Sequence, residues 1–218
     1  MLKKVFGTKG VSLLAGLVLV LSLSGCGNGI TDSTGAVKSE ISVTLTDKGK
    51  DFLAQMCREL NDFNSGQAMD EKFWRDFLFH SYTGVSSESA VTEQVYREDL
   101  GFDETVVKVS LQEAQERVKL VFGVELPDLQ PAFEDMEEGQ TSFYYQDDYY
   151  YIGVSDLPDY EYTFCECAED KENGTNTIVK YTINFMGESN VGTVTLGISP
   201  ENNENGFVIR SKTTEFVK

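Results

Sequence analysis

The chain has 218 residues and a formal charge of −18, from 18 Lys+Arg against 36 Asp+Glu, with one His, four Cys, four Pro and one Trp. That acidity excludes the Lys/Arg patches that neutralise nucleic-acid phosphates, and equally a basic face against anionic lipid. One His leaves little for Ser-His-Asp chemistry or a His-rich metal site, and the length suits a single domain with a core of its own.

Residues 1–25 carry Lys3, Lys4 and Lys9 and no acid, then an apolar run from Val11 to Leu23 and a set of small residues. This is the layout of a secretory signal, and the run falls short of the roughly 20 residues a permanent membrane helix needs. Leu23-Ser24-Gly25-Cys26 resembles the lipobox of bacterial lipoprotein precursors at all four positions. The resemblance covers only the leader. It implies cleavage between Gly25 and Cys26 and attachment of a diacylglyceryl group, with palmitate-type acyl chains, to the Cys26 sulfur. Two acyl chains anchor stably where one is marginal, each buried methylene contributing about 0.8 kcal/mol. The alternatives are an uncleaved membrane anchor, or Cys26 as a core thiol or disulfide half; the Gly, Asn and Ser around it argue for the lipid. Without the leader, 15 basic residues face 36 acidic ones, a charge of −21. The expected location is the extracytoplasmic face of the cell membrane.

Residues 26–45 read as the lipidated Cys and a polar tether, since GNGITDSTGAVKSE at 27–40 is small and hydrophilic. A tether of this kind holds a domain within roughly 20–30 Å of its anchor. The globular domain is expected over 46–218.

Phe52, Leu53, Met56, Cys57, Leu60 and Phe63 recur on one helical face from about Asp47, with Thr46 or Asp47 as cap and an end by Asn64-Ser65-Gly66. A second helix from about Asp70 places Phe73, Trp74, Phe77 and Leu78 together. A third is expected over 89–100, with Val91, Val95 and Leu100, ending at Gly101. Thr105–Ser110 is a short strand. Ser110 and Glu113 then form a capping box, Val109 and Ala114 a hydrophobic staple, and Gly123 a left-handed stop; Leu111, Ala114, Val118, Val121 and Phe122 face inward. Pro127 and Pro131 prevent continuation.

From Thr141 the period becomes two. Phe143–Tyr145 and Tyr149–Ile152 flank Gln146-Asp147-Asp148 as a hairpin. Strands follow at Tyr160–Ala168, around Val179–Phe185, around Val194–Ile198 and at Phe207–Val217, with turns at Asn173-Gly174 and around Glu188–Asn190. Local hairpins predict an antiparallel meander, so the expected class is α+β, N-terminal helices packed on one curved antiparallel sheet. The order of elements loosely resembles the cystatin-like and NTF2-like folds, by architecture alone.

Cys165 and Cys167, two apart on a strand, are expected on one face, and Cys57 on the apolar face of the first helix. One disulfide, Cys57 with Cys165 or Cys167, is compatible with export; three reduced thiols are the other reading. Cys165, Cys167 and His80 offer soft zinc ligands but lack CxxC spacing and a fourth donor. Glu134, Asp135, Glu137, Glu138 and Asp147-Asp148 are read as solvated surface, without calcium-loop spacing. No cofactor, metal or catalytic residue is expected.

The tyrosines are the candidate binding groups: Tyr144, Tyr145, Tyr149 and Tyr150 on the hairpin, with neighbouring Tyr160 and Tyr162. Exposed Tyr gives large contact area at low entropy cost; cross-strand pairing within the sheet is the other reading. The expected function is a non-catalytic binding module on a lipid anchor, its partner an exported protein, a peptide or a wall polymer, with modulation or inhibition of a cell-wall enzyme as one form. The alternatives are an NTF2-like enzyme with a pocket between helices and sheet, and a solute-binding lipoprotein.

Overall fold

The computed structural model describes residues 43–64, 68–83, 91–170 and 176–217. The chain divides into Met1–Lys38 and Ser39–Lys218, and every described residue lies in the second unit. The lipobox and the Asn173-Gly174 turn lie outside the described residues. No helix among the described residues is long and apolar enough to cross a membrane.

The unit is α+β, with helices α1 (Asp47–Glu59), α2 (Glu71–Thr83) and α3 (Leu111–Phe122), a 3-10 turn at Phe133–Asp135 and eight described strands. These are β1 (Thr92–Arg97), β2 (Phe102–Ser110), β3 (Phe143–Gln146), β4 (Tyr149–Gly153), β5 (Tyr160–Glu169), β6 (Thr177–Phe185), β7 (Glu188–Pro200) and β8 (Phe207–Phe216). Val43 and Leu45, assigned to the tether by sequence, already pack on the core.

Local chemistry fixes the helix starts. The Thr46 hydroxyl accepts from the Gly49 amide at 3.1 Å, and Asp70 Oδ1 accepts from the Phe73 amide at 2.9 Å. Ser110 and Glu113 complete the capping box at α3, and Gly123 closes that helix at φ 70° in the left-handed region. α1 ends earlier than its apolar spacing indicates: Leu60 is extended, and Phe63 pairs with Lys212 on β8 instead of adding another helical turn.

The stretch expected as a third helix is strand β1, paired with β2 from Thr92↔Val107 to Arg97↔Phe102. Val91 and Val95 stand four apart, a spacing that fits two pleats as well as one helical turn. The single meander is also replaced. The strands form two antiparallel sheets, β1-β2-β4-β3 and β5-β6-β7-β8. β4 uses its second edge to pair with β2, from Val106↔Gly153 to Ser110↔Tyr149, so the tyrosine hairpin joins the earlier strands. Residues 154–159, with Pro158, then carry the chain to the second sheet.

α1 lies against β5, α2 against β2 and β4, and α3 against both β2 and β8. The helices are therefore the layer the sheets share, and one apolar cluster runs through all three helices and both sheets. Phe122 is its hub, ringed edge-on by Phe63, Phe73, Trp74 and Phe77 at centroid distances of 5.0–5.8 Å. Buried Glu59 ties the helices together, accepting from Ser81 Oγ at 2.8 Å on α2 and Arg117 Nη2 at 2.7 Å on α3.

Candidate binding surface

The hairpin turn is built as its sequence indicates. Asp147 and Asp148 take φ of 51° and 64°, the doubly left-handed pair that matches the strand twist. Cross-strand register sets Tyr144 opposite Tyr151 and Tyr145 opposite Tyr150. Tyr150 points into the core, 1% exposed, and its hydroxyl donates to the Leu129 carbonyl at 2.6 Å. Half-buried Tyr145 packs edge-on against it at 5.1 Å.

The opposite face is not the open tyrosine surface expected from sequence. Tyr144 and Tyr151 stack in parallel at 4.8 Å and are 4% and 8% exposed. With Val106 they form a second small core, packed with Val95 and Met136 and capped by the Phe133 ring at 4.9 Å from Tyr144. Glu134, Asp135, Glu137 and Glu138 are exposed, as expected, while Phe133 and Met136 beside them form a lid over Tyr144. Tyr149 is 37% exposed, and the Lys108 ammonium covers its ring at 4.6 Å. Burial pushes the Tyr144 hydroxyl up to about 12 and raises that of Tyr150 further. These tyrosines are ordered as sheet-stabilising pairs.

Tyr160 and Tyr162 lie in the other sheet, so the six tyrosines do not form one surface. Their partners Phe185 and Ile183 place both on the face that looks toward the helices. Tyr162 packs on the core, and burial pushes its hydroxyl up to about 12, opposed by the charge of Arg58. Tyr160 sits at the end of that face, its ring 4.8 Å from Phe185 and 6.2 Å from Phe216.

These three rings open into a cleft of about 460 Å³, walled also by Val191 and Val217 and rimmed by Glu188, Ser189 and Asn190. Its construction depends on two backbone devices. The β6–β7 turn is Met186-Gly187, at φ 50° and 83°, rather than the expected Glu188–Asn190, which belongs to the start of β7. Gly192 stands opposite Phe216, and a Cβ there would come within 2.6 Å of the Glu215 carbonyl and 3.2 Å of the Phe216 ring. Glycine thus lets the ring lie against the sheet. Along β8, exposure climbs from 1% at Ile209 to 7% at Lys212 and 58% at Phe216, while Val217 and Met186 reach 68% and 83%. The helical layer stops short of this end of the sheet. Tyr160 was among the sequence candidates; Phe185 and Phe216 were not, since alternation places them on the inner face and nothing local says where the helices end.

The three cysteines among the described residues are free thiols, Cys57 buried and Cys165 and Cys167 exposed. The expected common face for Cys165 and Cys167 fails because a β-bulge between Phe164 and Glu166 inserts Cys165 as an extra residue. The Cys165 sulfur lies 2.7 Å from Thr182 Oγ1 on the outer face, whereas Cys167 stands opposite buried Val179. Burial pushes the Cys57 thiol up to about 12 and raises that of Cys167. His80, on α2, contacts the Glu59 carbonyl at 3.3 Å, and no three His, Cys, Asp or Glu side chains among the described residues are grouped to hold a metal.

Compared with protein families, with characterised proteins and with solved structures, the chain finds no match.

Proposed function

We propose that the chain is a lipoprotein, held by acyl chains on Cys26 at the extracytoplasmic face of a bacterial membrane, whose globular domain is a non-catalytic binding module for an exported protein. The observation that carries the binding reading is the cleft at the end of the second sheet. Three aromatic rings, Tyr160, Phe185 and Phe216, meet there beside exposed Met186 and Val217. Contiguous exposed apolar surface with a polar rim is the usual mark of an interaction site. The interior beneath it is filled by Phe, Leu, Ile and Val side chains. The hairpin tyrosines are withdrawn from the binding face, since their rings are buried or covered, and Tyr160 alone of the original six remains at its centre. The anchor reading rests on Leu23-Ser24-Gly25-Cys26 and the basic, then apolar, leader before it.

Cell fractionation and partner capture test the two halves. Cys26→Ala moves the protein from the membrane to the soluble fraction, and unchanged fractionation removes the anchor. Phe216→Ser, at an exposed position, loses the captured partner while the melting temperature stays within a few degrees; undiminished capture removes the cleft.

A further inference from the structure

The cleft crosses the end of the second sheet from Tyr160 on β5, past Phe185 on β6 and Val191 on β7, to Phe216 on β8. With strands about 4.8 Å apart, that path is roughly 15 Å long, the reach of four or five extended residues. The packed Tyr160, Phe185 and Phe216 rings form an apolar floor on which one large side chain would rest.

Charge selects the occupant. Glu188 is the one charged side chain among the described residues that line the cleft, and it stands opposite Phe185 on the cleft face; Glu161 and Glu215 flank the cleft in sequence but alternate to the outer face of the sheet. A second copy of the chain would bring the same Glu188 and, with the leader removed, the same net charge of −21, so electrostatics opposes self-association through this end. The chain's own segment at 27–42, with Asp32, Lys38 and Glu40, is nearly neutral and has no aromatic side chain. Its aliphatic side chains, Ile30 and Ile41, come with no net positive charge to set against Glu188. Resting on the binding-module reading, we infer that the cleft receives a cationic segment of a partner protein. That segment lays one aromatic or long aliphatic side chain over the packed rings of Tyr160, Phe185 and Phe216 and sets Lys or Arg against Glu188. Apolar contact supplies the hold, and Glu188 and the net negative charge supply selectivity and encounter rate.

The test uses the full-length chain in phosphatidylcholine nanodiscs and three fluorescent pentapeptides: four lysines around a central phenylalanine, the same with a central serine, and four glutamates around phenylalanine. Fluorescence anisotropy should rank the lysine–phenylalanine peptide first. The serine peptide should bind at least tenfold more weakly, and the glutamate peptide not measurably. Raising salt from 0.05 to 0.5 M should weaken the first peptide about tenfold, since screening shortens to a few ångströms over that range. Phe216→Ser and Glu188→Lys should each weaken it tenfold or more without a change in the circular dichroism spectrum. Equal binding of the phenylalanine and serine peptides, binding of the glutamate peptide, or unchanged binding by both variants would overturn the inference. So would concentration-dependent dimers that Phe216→Ser disperses, because the occupant would then be a second copy. If crosslinks from position 216 on cells reach a neutral or acidic segment, the cationic partner is wrong while the binding module stands.

Discussion

Arg97 is the largest fully buried side chain in the domain, and its guanidinium is satisfied on every side. It donates to both Asp99 oxygens at 2.8 and 2.6 Å, to Glu104 at 3.0 Å, to the Gln140 carbonyl at 2.9 Å and to Ser142 Oγ at 3.0 Å. The contacts tie the β1–β2 hairpin to the segment that carries the lid over Tyr144. Removing one partner of a buried ion pair leaves the rest uncompensated, a loss of about 3–5 kcal/mol. Arg97→Ala should therefore lower stability by that amount in urea unfolding. The hydrogen bond from Arg97, then that from the Gly139 amide, holds the Asp99 carboxyl well below the usual carboxylate range. A group depressed in the folded state contributes stability above its unfolded value of about 3.9, and that stability disappears as pH falls below it. Between pH 5 and 2 the wild type should lose stability more steeply than Asp99→Asn; parallel curves would remove the coupling. None of this was readable from the sequence, because the partners of Arg97 reach as far as position 142. The Ser110–Glu113 capping box was readable because both partners are three residues apart.

Among the elements, capped helix starts and the hairpins of the second sheet came out as the sequence indicates, whereas the end of α1, the identity of β1 and the place of the β6–β7 turn did not. The starts of all three helices and the Asp147-Asp148 turn follow from neighbouring residues. β1 was misread because four-residue spacing serves both periods, and because its exposed edge gives no clean alternation. The bulge at Cys165 is invisible in a run that alternates acceptably, yet it decides which way each thiol points. That makes thiol chemistry a direct measurement of β5. Under native conditions Cys165 should react fastest with a disulfide reagent, Cys167 more slowly because burial raises its thiol, and Cys57 only on unfolding. In denaturant the membrane-extracted protein should yield three thiols if Cys26 is a thioether. Four would contradict the lipid, and one would show that a disulfide had formed.

For the whole molecule, the α+β class was legible because helical spacing dominates the chain before Gly123 and alternation dominates it after Thr141. The division into two sheets was not, since it depends on β4 choosing β2 rather than β5 as its second neighbour. That choice turns the tyrosine hairpin from a surface into a layer with its own lid, and it leaves the far end of the second sheet as the open aromatic face. Acidity takes on a location too. Under the proposed lipid anchor, the net negative charge would hold the domain off an anionic membrane and leave its apolar cleft open to a partner. The most direct test of this account is photo-crosslinking on whole cells with a photoreactive residue introduced at Phe216, at Met186 or at Tyr149. The account predicts partner adducts from positions 216 and 186 and none from 149; adducts from 149 with none from 216 and 186 would contradict it.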